Sequence, residues 1–350
     1  MRTILQQYRV PMRQVFVFAR STVVASMLIG AVAAPRRTVA QGTAIDSLSA
    51  ALGSSSMPNR EAALSRILQN YSTLPPALSS AIVALIGREA ATPAAGNGSE
   101  DYGEYIVELV TAATRTGDHG VIPSLVAIGG LGVSSGVMAF VASAGPSIIP
   151  TLDSLQRVSP SDGSAVLQTF ALMYAQQGAL LTATDSAGLL SRLVGAASST
   201  DLATRAELPS LALRIPLPEL VPLLLQLATS DTAQFLPESI YPVRLAAQAA
   251  VDTLSTVWSA LSSADLLKAL IREQVAACAG ASGSLRGHCQ SMSAHLNEVG
   301  SHIHDANTNP ALNELKSFRK ALQQAGSGLP LLNAALMDGN AIKLASLIGG

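Results

Sequence analysis

The chain has 350 residues, 22 Lys and Arg against 23 Asp and Glu, 49% hydrophobic residues and only 4% aromatics. A chain this long exceeds the roughly 250–300 residues at which a single core stops growing, so an array or several modules is required. Beyond residue 40 the chain is mildly acidic with no basic cluster, which argues against a nucleic-acid binder, whose phosphate contacts demand Lys and Arg, and equally against anionic membrane surfaces.

The first 40 residues read as a targeting segment. Arg2, Arg9, Arg13 and Arg20 form a positive region with no acidic residue, and residues 21–34 follow as an uncharged run. That run has the length of a signal-peptide core and falls short of the roughly 20 residues of a membrane span. Ala31-Val-Ala33 and Thr38-Val-Ala40 both offer a small-residue cleavage pattern; cleavage after Ala40 is expected, against the alternative of an uncleaved anchor. Arg36 and Arg37 come after the run, so they make no twin-arginine signal, and no cysteine follows it for lipid attachment. Export to the periplasm or outside the cell is therefore expected, with no membrane span after cleavage. The mature chain would keep 16 basic and 23 acidic residues, a charge of −7.

Strand-like alternation is nearly absent and small apolar residues abound, so the expected fold is all-α. A helix starts within residues 43–52. A clearer one opens at Pro58, with Ala63, Leu64, Ile67 and Leu68 on one side and Ser65, Arg66 and Gln69 facing away. Another spans 74–90, starting at the Pro75–Pro76 pair, and residues 92–100 have the Gly, Pro and Asn content of a loop. Ser99, Asp101 and Glu104 place acids in the first turns of the next helix, where the helix dipole favours them. Asp118-His-Gly120 reads as a turn. Residues 121–158 are rich in Gly, Ser and Ala. Gly129, Gly130, Gly132 and Gly136 lack the preceding strand and the Gly-Lys-Ser/Thr of a phosphate loop, so closely packed short helices are expected there. Ser159-Pro-Ser-Asp-Gly-Ser breaks the chain before a helix over 165–176, and helices follow near 185–197 and 200–214.

Residues 216–258 form the clearest unit. The first helix, 219–228, has Gln226 as its only interior polar residue; a helix apolar nearly all round must be buried on most sides. The second carries Ile240, Val243, Ala247, Ala250, Val251, Leu254 and Val257 on one stripe, with Arg244, Gln248, Asp252 and Ser255 opposite. Pro242 suits its first turn. One amphipathic partner cannot cover the first helix, so further helix pairs must flank it.

Ile240-Tyr-Pro-Val-Arg-Leu-Ala-Ala-Gln-Ala-Ala-Val251 resembles the second helix of a HEAT repeat, and Leu220-Val-Pro-Leu-Leu224 resembles the first. Echoes occur at Asn59-Arg-Glu-Ala-Ala-Leu64, Ala203-Thr-Arg-Ala206, Ile122-Pro-Ser-Leu125 and Ile149-Pro-Thr-Leu152. Arg205 and Arg244 lie 39 positions apart, near the HEAT period of about 40, while the two Ile-Pro-x-Leu motifs are 27 apart. The resemblance covers about residues 55–260 and implies a ragged α-solenoid that binds proteins; it implies no reaction. An irregular all-helical domain is the alternative.

Downstream, a helix capped by Ser263-Ala-Asp-Leu266 runs to about Cys278. Cys278 and Cys289 are the only cysteines, separated by a Gly-rich stretch, and in an exported chain they are expected to pair across a helical hairpin. Such a loop contributes about 3 kcal/mol through the unfolded state. The Cys-x-x-Cys spacing of a redox pair is missing.

His288, His295 and His302 follow one another at steps of seven. Seven residues rise about 10.5 Å along a helix, so one ion cannot bridge them. Glu298 with His302 or His295 could offer two metal ligands, a third having to come from elsewhere; a solvated helix face, responsive to pH near neutrality, is the expected reading. Residues 307–322 form a further helix with Leu312, Leu315, Phe318 and Leu322 inward. Together with 289–303 it resembles the FIMAH-type helical modules of secreted bacterial enzymes, through Leu296, Asn307, Ala311, Leu315 and Phe318; no chemistry carries over. Residues 329–348 read as a terminal helical cap.

The expected organisation is thus a cleaved segment 1–40, a HEAT-like domain 41–260 and a disulfide-stapled helical module 261–350. No His-Glu-x-x-His or Walker motif occurs, and no pattern calls for a cofactor. The expected function is an exported scaffold that binds another protein through its concave face, without catalysis of its own. The alternatives are a small-ligand or metal-binding protein or enzyme with a site between helices, and a module attaching to envelope polymers.

Overall fold

The computed structural model describes residues 34–91, 100–159, 162–177, 181–234 and 240–349. Among them there are sixteen α-helices and no strand. In order they are α1 (Ala34–Leu52), α2 (Met57–Asn70), α3 (Pro76–Ala91), α4 (Glu100–Arg115), α5 (Ile122–Ala127), α6 (Ser135–Ser143), α7 (Ile149–Val158) and α8 (Gly163–Gln177). Then come α9 (Ala183–Ala197), α10 (Leu202–Arg214), α11 (Val221–Ser230), α12 (Pro242–Ser259), α13 (Ser263–Ala277), α14 (Gly283–His304), α15 (Thr308–Ala325) and α16 (Leu331–Gly349). The chain divides into two compact units, Met1–Asp46 and Ser47–Gly350, and the packing of α2 to α16 belongs to the second. The expected targeting segment lies, over residues 1–33, outside the described residues, and α1 runs through Ala40.

Local chemistry sets the helix ends. Thr182 caps α9 by accepting from the Asp185 amide at 3.1 Å while its hydroxyl donates to the Asp185 carboxylate at 2.6 Å. Ser262 and Asp265 repeat the arrangement at α13, so the cap is one residue earlier than Ser263. Asp201 caps α10 through the Thr204 amide at 2.7 Å. Each side-chain oxygen satisfies an amide that has no partner in its own helix. Proline occupies an early position in α5, α7, α11 and α12, where its missing N–H is not required.

The short helices of 121–158 are joined by glycines with definite tasks. Gly129 takes φ +75°, a left-handed conformation that side chains disfavour. A Cβ on Gly130 would stand 2.7 Å from Val110 and 2.8 Å from the Leu125 carbonyl. These glycines serve turning and close packing.

Alternate helices are neighbours along the chain: α2 packs on α4, α3 on α5, α4 on α6, α5 on α7, α6 on α8, α8 on α10 and α10 on α12. Side chains reinforce this pairing by capping the carboxyl end of the helix two back. Arg88 of α3 donates to the Leu52 and Gly53 carbonyls ending α1; Arg115 of α4 donates to Leu68 and Tyr71 ending α2; Gln177 of α8 donates to Ala142 of α6. Carbonyls in a last helical turn lack internal donors, so each contact supplies a missing partner.

The two helices expected over 216–258 are α11 and α12. Val221, Leu223, Leu224 and Leu227 of α11 are buried, as are Val243, Ala247, Ala250, Val251 and Leu254 of α12. Ile240 and Val257, placed on the same stripe by sequence, are exposed at 44% and 46%, as is Leu225 at 42%. The last four helices close on the array: α13 packs against α9, and α16 against α11 and α13. The boundary expected at 260/261 therefore falls in a turn inside Ser47–Gly350. A shared core runs from Leu266 and Leu270 through Met292, Leu296, Leu315 and Phe318 to Met337 and Leu344.

Candidate functional site

Buried polar side chains gather where α8, the turn into α11, α12, α13 and α16 meet. They arise from interruptions of apolar stripes. On α13 the buried face runs Leu266, Ala269, Leu270, and its next positions are Glu273 and Gln274. On α16 it runs Leu336, Met337, then Asn340, Ala341 and Leu344. A buried polar group without a partner is strongly unfavourable, so each interruption must be met across the interface.

Asn340 is the hub and is fully buried. Its Nδ2 donates to the Glu219 carbonyl at 2.8 Å and to Glu273 Oε1 at 2.7 Å, and its Oδ1 accepts from Trp258 Nε1 at 2.9 Å. Those partners fix the orientation of the amide. Beside it, Arg272 Nε donates to the Tyr174 hydroxyl at 3.2 Å and Nη2 reaches Glu219 Oε1 at 3.4 Å, with the guanidinium 5.2 Å over the Tyr174 ring. Lys343 lies 5.9 Å over the Trp258 ring, and Gln274 ties α13 to the Cys289 carbonyl at 3.0 Å.

Burial pushes the Glu273 carboxyl well above the usual carboxylate range. The Asn340 hydrogen bond opposes this, Glu219 adds to it and Arg272 opposes it, but burial prevails. Glu273 Oε2 is enclosed with no hydrogen-bond partner among the described residues. The Tyr174 hydroxyl is likewise raised, by burial first and by Glu219 second.

A second buried cluster joins α2, α3 and α4. Arg60 Nε donates to the Tyr105 hydroxyl at 3.0 Å, that hydroxyl donates to Glu89 Oε1 at 2.9 Å, and Arg60 Nη2 pairs with the same oxygen at 3.0 Å. Arg60 also donates to the Ser54 and Ser55 carbonyls. Burial raises the Tyr105 pKa, opposed by the Arg60 hydrogen bond and aided by Glu89. The arginine, acid and phenol satisfy one another, an arrangement that holds three helices together.

The open depression of about 360 Å³ bordered by Ala197, Arg205, Leu227, Asp231, Leu331 and Leu332 is the third polar place. Arg205 Nε stands 3.5 Å from Asp231 Oδ2, and Arg244 donates to the Asp231 carbonyl. The two arginines that sequence spaced 39 apart thus converge on one residue at the end of α11.

Cys278 and Cys289 form the expected disulfide, with Cα atoms 5.9 Å apart, linking α13 to α14. His295 Nδ1 lies 2.7 Å from Glu314 Oε2 on α15, while Glu298 is exposed and His302 half-buried on α14. The structure brings His295 to an acid that sequence reading did not pair with it. No group of three or more His, Cys, Asp or Glu side chains able to hold a metal ion occurs among the described residues.

Sequence reasoning missed Glu273, Asn340, Arg60 and Glu89. The signal was present: Arg60-x-x-Ala63-Leu64-x-x-Ile67 and Ile82-x-x-Leu85-Ile86-x-x-Glu89 each place one charge on a buried helical stripe. No single described helix is long and apolar enough to cross a membrane; α6 with the bent segment Gly145–Val158 passes by length and composition only, and its Val137, Val141 and Leu152 are buried in the fold. No family model, curated protein or solved structure matches the chain.

Proposed function

We propose that this protein is an exported helical-repeat scaffold that binds another protein along its stacked helix pairs and performs no catalysis of its own. The observation that carries the reading is the packing of alternate helices, continuous from α2 to α8 and then through α10 to α12. Side-chain donors reaching backbone carbonyls 35 to 47 positions away, from Gln177 on Ala142 to Arg115 on Leu68, accompany it. Those separations are what a HEAT-like period of about 40 residues requires of adjacent units. Asp153 and Arg192, paired through two hydrogen bonds at 2.8 and 3.1 Å, are 39 positions apart, as are Arg205 and Arg244 on Asp231. Stacking units of this kind creates an extended concave surface suited to a protein partner. The Cys278–Cys289 disulfide is compatible with an oxidising compartment, and the positive n-region with its apolar run supports export.

The test is capture from an envelope extract followed by reconstitution from purified components. The scaffold reading expects a partner that co-elutes at fixed stoichiometry and loses binding when exposed residues of the helix array are changed. Failure to recover any partner, together with a measurable turnover by the purified chain, would overturn it.

A further inference from the structure

Of the two arginines that converge on Asp231, one is held by the fold and the other keeps donors to spend. Arg244 donates through Nε to the Asp231 carbonyl and lies 4.3 Å over the Tyr241 ring. The Asp231 carboxylate is itself engaged, its Oδ1 accepting from the Ala233 amide at 2.8 Å. Arg205 reaches only the other oxygen, through Nε at 3.5 Å, which is longer than a hydrogen bond. That Nε is enclosed and has no hydrogen-bond partner among the described residues. The Arg205 side chain is 23% exposed. Leaving the donors of a largely buried guanidinium unspent is unfavourable, and a carboxylate presented to its fork relieves that cost.

Arg205 borders the depression of about 360 Å³, a volume at the lower end of small-ligand sites. The walls bring two further kinds of chemistry. Leu227, Leu331 and Leu332 make one side apolar, and Leu331, at the start of α16, is 66% exposed. Ser198 and Ser230, where α9 and α11 end, bring last-turn carbonyls to the rim, acceptors that a helix leaves without donors of its own. A ligand that meets all of these carries a carboxylate, an aliphatic group beside it and an N–H. Those groups occur together at the end of a polypeptide.

The geometry points to a binding site for the C-terminal residue of a partner protein, one with an aliphatic side chain. Its α-carboxylate lies on Arg205, its side chain against Leu331 and Leu332, and its backbone N–H groups toward the ends of α9 and α11. The site rests on the scaffold reading and gives that scaffold a class of partner.

The probe is acetyl-Ala-Ala-Leu with a free carboxylate, titrated calorimetrically into the full-length oxidised protein beside the same peptide ending in an amide. The acid should bind saturably and the amide at least about tenfold more weakly. Arg205→Gln should weaken the acid by at least about the same factor. Because Arg205 also faces the buried Asp231, a second variant leaves the core untouched. Leu331→Asp changes an exposed position, sets a carboxylate at the rim and should weaken the acid about tenfold with an unchanged circular dichroism spectrum. Acid and amide binding alike, no saturation below about 10 mM, or Leu331→Asp binding the acid as the unaltered protein does would each overturn the site. Inorganic phosphate displacing the peptide at equal concentration would also overturn it, since the apolar wall and the carbonyls would then contribute nothing. A partner recovered from the envelope extract while the acid peptide fails to bind would sink this site and leave the scaffold reading standing. Carboxylate-dependent peptide binding with no partner recovered would support the site and count against the scaffold reading alone.

Discussion

At the scale of single residues, stability depends on polar groups set into apolar stripes. Glu273 gives a prediction whose sign is fixed. Its folded-state pKa lies above that of an exposed carboxyl, so its effect is harmless in acid and increasingly destabilising as pH rises through and beyond the ordinary carboxylate range. Glu273→Gln should therefore be more stable than the unaltered protein at neutral pH. The two denaturation curves should converge in acid and diverge by about 1.4 kcal/mol for each pKa unit the folded state imposes; urea unfolding at a series of pH values measures this. The Arg60–Glu89 pair behaves oppositely. Glu89→Ala strands a buried guanidinium and should destabilise by about 3–5 kcal/mol, read as a lowered urea midpoint. These positions were legible as helical stripes but not as a site. A lone charge at a core position says that a partner must exist, and the partner lies on a helix 29 positions away for Arg60 and 67 away for Glu273.

At the scale of elements, helix identity was carried by short-range signals: proline at early positions, Ser or Thr caps, and apolar steps of three and four. The pairings of helices were not, because packing depends on surface shape rather than on local propensity. Two glycines separate those levels. Gly339 sits where α16 crosses α11, and Gly339→Ala would force a methyl group onto Pro222. Overpacking of this kind should destabilise by about 1–3 kcal/mol. Gly287, inside α14, has open space where a Cβ would go, so Gly287→Ala should stabilise by about 0.5–1 kcal/mol through helix propensity alone. Thermal melts of the two variants should move in opposite directions. The histidines show the same divide: their sevenfold spacing was visible, but the pairing of His295 with Glu314 depends on how α14 and α15 meet.

At the scale of the whole molecule, alternate helices pack on one another from α2 to α8 and on through α10 to α12, α9 packs instead on α8, α10 and α13, and the last four helices complete the same body rather than hanging from it. Sequence reading recovered the all-α class, the clearest helix pair and the disulfide, and it drew a boundary at 260/261 that α9, α11, α13 and α16 pack across. Repeat signals are local and stop where the resemblance stops, whereas the apolar surfaces of α9 and α11 are covered by helices that lie well downstream, α13 and α16. The most direct test of this one-body account is to end the chain at Ala260. Without α13–α16, the faces of α9 and α11 should lie open, and equilibrium unfolding should lose its cooperativity while the chain binds a hydrophobic dye. A chain ending at Ala260 that unfolds cooperatively, with the midpoint of the full-length protein, would contradict the account.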